Sequence, residues 1–147
     1  MPMPASIRLA VEADLLQLVT MAERFVTSPD YRGKLSVKPD QLGRFLLSII
    51  VEKGRIWVLD RSGTLTGAIG LLLYPHPMDG ETTAVELFWW VNPEVRGEGL
   101  RLLRIAEDAA KESGAKRMQM IAPNERVAKL YERKGYERVE TMYQRAL

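Results

Sequence analysis

Apolar residues recur every three or four positions in two segments near the start of the chain. The first segment covers residues 12–27 and the second covers residues 38–54, with turn-forming residues at 28–33 between them. On a helix this spacing gathers the apolar side chains on one face, which can then pack against a core. The pattern therefore predicts two successive amphipathic helices.

Alternating or continuous runs of apolar residues predict strands elsewhere in the chain. The predicted strands cover residues 6–11, 55–60, 65–74, 83–91, 117–122, 136–139 and 141–146. Residues 61–63 have the composition of a tight turn, so the second and third strands should form an antiparallel hairpin. Two further helices are expected, one after Gly99 and one after Asn124.

The predicted order of elements is β-α-α-β-β-β-α-β-α-β-β. It describes a single mixed α/β (α+β) domain over residues 1–147, with about four helices and a mostly antiparallel sheet of six to seven strands. One parallel strand–helix–strand crossover runs from residue 83 to residue 122. Ligands of such sheets bind at the carboxyl ends of the parallel strands, so a site is expected near Val91 and Ala122.

Composition narrows the classes of function. Hydrophobic residues make up 46% of the 147 residues and charged residues 27%, which is typical of a globular protein. No apolar run is long enough to span a membrane, and the first residues do not resemble a secretory signal, so we expect a cytoplasmic protein without membrane contact. The 21 basic and 19 acidic residues are interspersed, which argues against nucleic-acid binding. With no cysteine and one histidine, no metal site is expected.

The most informative segment for function follows the strand at 83–91. There a proline, two glycines and a basic residue, Arg96, precede a helical pattern in the sequence Asn92-Pro93-Glu94-Val95-Arg96-Gly97-Glu98-Gly99. The first amides of a helix lack partners within it and can bind an anion, and glycines let the backbone come close to a phosphate. The segment therefore predicts a phosphorylated ligand.

This layout resembles that of the GCN5-related N-acetyltransferases. The resemblance lies in Val91-x-Pro93-x-x-Arg96-Gly97-x-Gly99 and in the later Asn124…Tyr131-Glu132-Arg133-Lys134-Gly135-Tyr136. Residues 86–91 and 140–143 also resemble, more loosely, members from bacteriophages and prophages. The resemblance implies that the chain moves an acetyl group from acetyl-CoA to a primary amine of a small molecule or peptide by direct attack on the thioester. It also raises the expectation of a homodimer.

The resemblance also implies which residues hold coenzyme A. Amides of the glycine loop would bind the diphosphate, and the end of the preceding strand would pair with the pantetheine arm. The implied cofactor-binding residues are Trp89, Trp90, Val91, Arg96, Gly97, Glu98, Gly99, Leu100, Arg101 and Asn124. The family usually has a small residue where this chain has Arg101. Alignment from Leu102 instead shortens the loop and makes Gly99 the final small residue, and both registers stay open.

In acetyl transfer the amine must lose a proton and the thiol must leave as a thiolate or take up a proton. Deprotonation of the amine costs more free energy. An alkylamine with a pKa near 10.4 is protonated at pH 7, and freeing its lone pair costs about 4 to 5 kcal/mol, whereas a thiol of pKa near 8.5 leaves readily as the thiolate. Glu86 is the only carboxylate within the apolar run 84–91 and is the candidate general base. Its alternative is a solvent-facing or ion-paired side chain.

Tyr131 is the residue that the resemblance places beside the thioester sulfur. It would stabilise the departing thiolate by hydrogen bonding. Its alternative role is to pack in the core beside Leu130.

Two other functions remain open from the sequence. The chain could be a non-catalytic acyl-CoA-binding sensor or regulatory module, or a phosphate-binding module unrelated to coenzyme A. The acceptor site should be formed by the two N-terminal helices, the loop at 31–36 and the C-terminal strands, a region that includes Asp30, Tyr31 and Tyr143.

Overall fold

In the computed structural model, which describes residues 4–95 and 97–147, a first strand is followed by two helices, three successive strands, a helix, a strand and a last helix. The strands are β1 (Ser6–Leu9), β2 (Gly54–Arg61), β3 (Thr64–Pro75), β4 (Thr82–Val91) and β5 (Arg117–Gln119). The helices are α1 (Leu15–Val26), α2 (Pro39–Ser48), α3 (Gly99–Glu112) and α4 (Glu125–Arg133). A short 3₁₀ turn precedes α1, and a π-helical turn, Ile49–Lys53, ends the second helical segment.

The five strands found in this part of the chain form one sheet in the order β1-β2-β3-β4-β5. The first three pairings are antiparallel and the last, between β4 and β5, is parallel. The predicted hairpin is present between β2 and β3. Its turn residues Ser62 and Gly63 have φ values of 52° and 91°, the left-handed backbone that two-residue hairpin turns require. The mixed, mostly antiparallel α/β class is confirmed.

The sheet separates two apolar cores because successive strand residues point to opposite faces. On β2, Trp57 and Leu59 pack with the buried face of α3, whereas Ile56 and Val58 pack with α1 and α2. The central strand β3 is therefore buried on both faces, which explains its nearly continuous apolar sequence. Within the described ranges, no helix is both long enough and apolar enough to cross a membrane.

The C-terminal strands predicted at 136–139 and 141–146 are not formed, and residues 136–147 contain no strand. The described sheet thus has five strands rather than six to seven. The apolar residues that suggested these strands, Val139, Met142 and Tyr143, are between 78% and 90% exposed. Alternation specifies a strand only where one face is buried and a neighbouring strand pairs with the backbone, and this segment has neither.

A β-bulge in β4 shapes the middle of the molecule. Leu71 pairs with Glu86 and Gly70 pairs with Phe88, so Leu87 is an extra residue in β4. As a consequence Leu87 and Phe88 both pack against the α1–α2 core. Gly70 makes room for the displaced Phe88, since a Cβ there would lie 2.8 Å from a ring atom of Phe88.

Beyond the bulge, β4 and β5 diverge. The parallel ladder joins residues 83–85 to residues 117–119 and then ends, so the predicted strand at 117–122 stops three residues early, at Gln119. Among the described strands, residues 88–91 pair with β3 alone. We call the opening between this part of β4 and residues 120–124 the β4–β5 cleft. It leaves one edge of β4 available to a ligand.

Candidate active site

Glu86 lies at the closed end of the β4–β5 cleft, directly after the last β4–β5 pair. Its Oε1 atom accepts hydrogen bonds from the backbone N–H of Ile121, at 3.3 Å, and from the hydroxyl of Tyr131, at 3.4 Å. The residue is only 8% exposed. Burial raises the pKa of Glu86 to about 7, although both hydrogen bonds act in the opposite direction because they favour the carboxylate.

Tyr131 reaches this carboxylate from α4. Its ring lies 6.1 Å from that of Trp89 on β4, and its hydroxyl lies 3.2 Å from the carbonyl oxygen of Ile121. The phenol is buried, and burial together with the nearby charge of Glu86 raises its pKa well above the usual value. Tyr131 is therefore a neutral hydrogen-bond donor at physiological pH. The structure brings together the two residues that the sequence proposed separately as catalytic.

The glycine loop joins β4 to α3 at the open end of the same cleft. Gly97 has φ = 80°, a conformation that side-chain-bearing residues rarely adopt, and Gly99 is the first residue of α3. A Cβ on Gly99 would touch Val91 and Trp89 at 3.4 and 3.5 Å, so the helix begins close against the end of β4. In the described part of the chain no side chain caps α3, which leaves its first amides available.

Glu98, at the end of the loop, and Arg101, in the first turn of α3, interact with each other. Arg101 pairs with Glu98 and also donates a hydrogen bond to the carbonyl oxygen of Ala5, at 2.9 Å. Glu98 lies 3.9 Å from Arg61 as well. The Arg101 side chain thus connects α3 with the residue before β1. Arg96 lies outside the described residues, Leu100 is exposed, and both loop registers remain predictions.

The remaining proposed cofactor residues point in different directions. Trp89 and Val91 pack on the α3 side of the sheet, whereas Trp90 packs on the α1–α2 side and donates its Nε1–H to the side chain of Asn92 at 2.9 Å. Asn124 caps α4 by accepting the Val127 N–H at 3.0 Å. Its Nδ2 atom donates to Asp30 at 3.0 Å.

Sequence reasoning missed the contribution of Ile121. It supplies a backbone N–H to Glu86 and a backbone carbonyl to Tyr131, and no side-chain pattern signals such contacts. Reasoning from the sequence did single out Tyr31 as part of an acceptor region. In the structure Tyr31 stacks on Phe25 with ring centroids 4.4 Å apart, and burial, then the nearby carboxylates of Glu86 and Asp30, raises its pKa. Among the described residues, no group of three acidic or histidine side chains could hold a metal ion.

Comparison with solved structures shows how widely this fold occurs. A transcriptional regulator from Bacillus halodurans is 21% identical with a TM-score of 0.80, covering 97% of this chain and 99% of that one. A ribosomal-protein-alanine N-acetyltransferase from Brucella melitensis is 17% identical with a TM-score of 0.78, covering 99% and 100%. A predicted acetyltransferase with acetyl-CoA from Clostridium acetobutylicum is 14% identical with a TM-score of 0.80, covering 96% and 95%. A search of curated proteins found no significant match.

These matches define the class of the chain by its fold, a mixed α/β fold that several acetyltransferases share. The family is shown by the sequence itself. The model of the acetyltransferase (GNAT) family matches residues 35–136, which is more than half of the chain. The protein belongs to the GNAT acetyltransferase family.

Proposed function

We propose that this protein transfers the acetyl group of acetyl-CoA to a primary amine, with Glu86 as general base. The observation that carries the proposal is the buried Glu86 carboxyl, with a pKa of about 7, hydrogen-bonded to Tyr131 at the closed end of the β4–β5 cleft. Family membership supports acyl transfer as the reaction, and the buried acid–phenol pair supports its chemistry. The acceptor is a small molecule or a peptide with a free amine.

The elements around the cleft fit the shape and charge of coenzyme A. Gly97 and Gly99 keep side chains away from the α3 N terminus, where unpaired amides favour a diphosphate. The edge of β4 at residues 87–91 offers backbone groups to the amides of the pantetheine arm. We assign the remaining contacts to Arg96, Glu98, Leu100, Arg101 and Asn124. Acetyl-CoA supplies the activated thioester carbonyl that the amine attacks.

Glu86 is matched to the task of removing a proton from the amine. Proton transfer from an ammonium of pKa near 10.4 to an ordinary carboxylate is uphill by about 8 kcal/mol. With the pKa of Glu86 at about 7 the same transfer is uphill by only about 5 kcal/mol. Above pH 7 the Glu86 carboxyl is mostly ionised and can accept the proton of the amine, directly or through one water molecule.

Tyr131 acts on the leaving group rather than on the amine. Because its pKa is raised well above that of a thiol, complete proton transfer to the thiolate is unfavourable. When the thiolate forms, the one hydroxyl hydrogen of Tyr131 turns from Glu86 or the Ile121 carbonyl to the developing negative charge, and this hydrogen bond strengthens as the charge forms. Tyr131 therefore stabilises the transition state, whereas Glu86 accepts the proton of the amine.

The decisive experiment measures free thiol released from acetyl-CoA in the presence of a diamine, an aminoglycoside, an alanyl peptide and an Nα-blocked lysine. Wild type should release thiol with at least one of them, and Glu86→Gln should lower kcat by about 100-fold, the scale of general-base catalysis. Glu112→Gln, at an exposed carboxylate near the end of α3, is the matched control and should keep full activity.

Binding separates the enzyme from a regulatory acyl-CoA-binding module. In either case acetyl-CoA at about 100 times its Kd should stabilise the protein by about 2.7 kcal/mol, which raises the melting temperature. Stabilisation without thiol release from any amine would favour the regulatory module. An unchanged melting temperature would contradict both functions.

A further inference from the structure

The loop between α1 and α2 is attached to the N terminus of α4 by a hydrogen bond between two side chains. Asn124 Nδ2 donates to Asp30 Oδ2 at 3.0 Å, and these residues are 94 positions apart in the chain. Asn124 is the N-cap residue of α4, and its Oδ1 atom accepts the Val127 N–H. Both the oxygen and the nitrogen of the side-chain amide are therefore hydrogen-bonded. The loop is thereby fixed to the helix that carries Tyr131.

Asp30 and Tyr31 belong to one compact turn, so a displacement of Asp30 would also displace Tyr31. The Tyr31 N–H donates to the Ser28 carbonyl at 3.1 Å, and the Tyr31 carbonyl accepts from Lys34 at 2.8 Å. Tyr31 stacks on Phe25, whose ring meets Trp90 of β4 edge-on at 5.9 Å. The position of the Tyr31 ring therefore depends on where this turn is held.

We propose that Asp30 is a positioning residue, which by accepting the hydrogen bond of Asn124 holds the turn of Tyr31 against the N terminus of α4, the helix that carries Tyr131, and so confines the acceptor amine. The effect on the amine rests on the proposed function, whereas the attachment of the loop does not. The partner of Asp30 is a neutral amide, so the contact requires an acceptor oxygen at position 30 and not a negative charge. This distinction makes the proposal testable with conservative variants.

The first test compares Asp30→Ala with Asp30→Asn. Alanine removes the hydrogen bond, whereas asparagine keeps an acceptor oxygen and removes only the charge. In Asp30→Ala the KM for the best amine of the panel should rise about fivefold, which corresponds to a hydrogen bond of about 1 kcal/mol, while kcat and the KM for acetyl-CoA change less. Asp30→Asn should restore the wild-type KM for the amine. If Asp30→Asn behaves like Asp30→Ala, charge attraction is responsible and the proposal is wrong.

An exchange of the two residues tests the contact without truncating either side chain. Asn124→Asp keeps a good N-cap for α4 but places a second carboxylate against Asp30. At saturating acetyl-CoA, a condition needed because Asn124 is also assigned a coenzyme A contact, it should raise the KM for the amine at least as much as Asp30→Ala. The double variant Asp30→Asn with Asn124→Asp re-forms the hydrogen bond in the opposite direction. Recovery of the amine KM in the double variant supports the proposal, and additive losses contradict it.

Limited trypsin digestion tests the attachment independently of catalysis. Arg32 and Lys34 are exposed residues of the same loop and are trypsin sites. Cleavage after them, followed by mass spectrometry, should be about fivefold faster in Asp30→Ala than in wild type or Asp30→Asn, because the loop opens more often. Asp108→Ala, at an exposed carboxylate of α3, is the matched control and should be cleaved like wild type.

The outcomes of these experiments are distinguishable. Equal cleavage rates in Asp30→Ala and Asp108→Ala would overturn the proposal even if the enzyme is active. If wild type acetylates no amine, the proposed function fails and the effect on the amine fails with it. The digestion experiment then still decides whether Asp30 holds the loop.

Discussion

At the scale of single residues, the proposed chemistry depends on one carboxyl group whose pKa is raised by its environment. Glu86 is buried by the strands and by α4, and its raised pKa follows from the loss of water around the charge. The two donors that contact it, the Ile121 amide and the Tyr131 hydroxyl, offset part of this effect. The balance leaves the pKa of Glu86 at about 7, close to the pH at which a general base has to work.

The pH dependence of activity should report this balance. We expect kcat/KM to rise with pH through a limb near pH 7 as Glu86 loses its proton. Because the Tyr131 hydrogen bond lowers the pKa of Glu86, Tyr131→Phe should move the limb to higher pH and also reduce kcat by about tenfold. The measurement is a pH profile with one amine for both proteins. Tyr74→Phe, on β3, is the control and should leave the limb in place.

The same group should make the protein less stable as pH rises. Since the folded-state pKa of Glu86 is raised, the native protein binds more protons than the unfolded chain between about pH 4.5 and pH 7. Stability from this group is present below that window and lost as pH rises through it. Glu86→Gln keeps the acceptor oxygen and removes the titration, so at pH 8 it should be more stable than wild type by up to about 3 kcal/mol, and at pH 4.5 about equal. Urea unfolding at both pH values measures this, and equal pH dependence in the two proteins would contradict it.

At the scale of elements, the β4 bulge determines where the site opens. The extra residue, Leu87, shifts the register against β3, and the β4–β5 ladder ends just before it. Gly70 and Gly67 on β3 accommodate the displaced strand, because a Cβ on either would approach β4 or β2 atoms closer than ordinary contact allows. Packing, and not a turn conformation, requires glycine at these two positions.

Gly70→Ala should therefore disturb the site through the sheet. The new Cβ would lie 2.8 and 2.9 Å from two ring atoms of Phe88, which must move. We expect a loss of about 2 kcal/mol of stability, measured by urea or thermal unfolding. Gly43→Ala is the matched control, since Gly43 lies within α2 with open space around it and should gain about 0.5 to 1 kcal/mol. Similar effects of the two substitutions would contradict the packing role of Gly70.

At the scale of the whole molecule, distant segments meet around the β4–β5 cleft. The α1–α2 loop contributes Asp30 and Tyr31, β4 contributes Glu86, and α4 contributes Tyr131. Of the C-terminal residues, Tyr136 contacts this assembly, since its ring lies 5.4 Å from that of Tyr131, and its hydroxyl donates to Glu107 at 2.8 Å. Further along, Gln144 donates a hydrogen bond to the Lys34 carbonyl at 3.0 Å.

Removing residues 140–147 should consequently have little effect on stability. Their side chains are exposed and they belong to no strand, so the melting temperature should fall by only about 2 °C. Tyr136→Phe is the comparison variant, because it removes a half-buried hydrogen bond and should cost about 1 kcal/mol. A fall of about 8 °C or more on truncation would mean that the segment does pair as the sequence pattern predicted.

The sequence alone determined the features that depend on neighbouring residues. The periodicity of α3, the left-handed turn at Ser62 and Gly63, and the glycines before α3 are all local requirements of backbone and burial, and each formed where the pattern placed it. Only the tertiary structure decided whether residues 136–147 find a strand partner, and which groups surround Glu86. Tyr131 and Glu86 are 45 residues apart, and Asp30 and Asn124 are 94 apart, so their contacts depend on the divergence of β4 from β5 and on the position of α4. Pairing and desolvation are properties of the assembled sheet, and no local pattern encodes them.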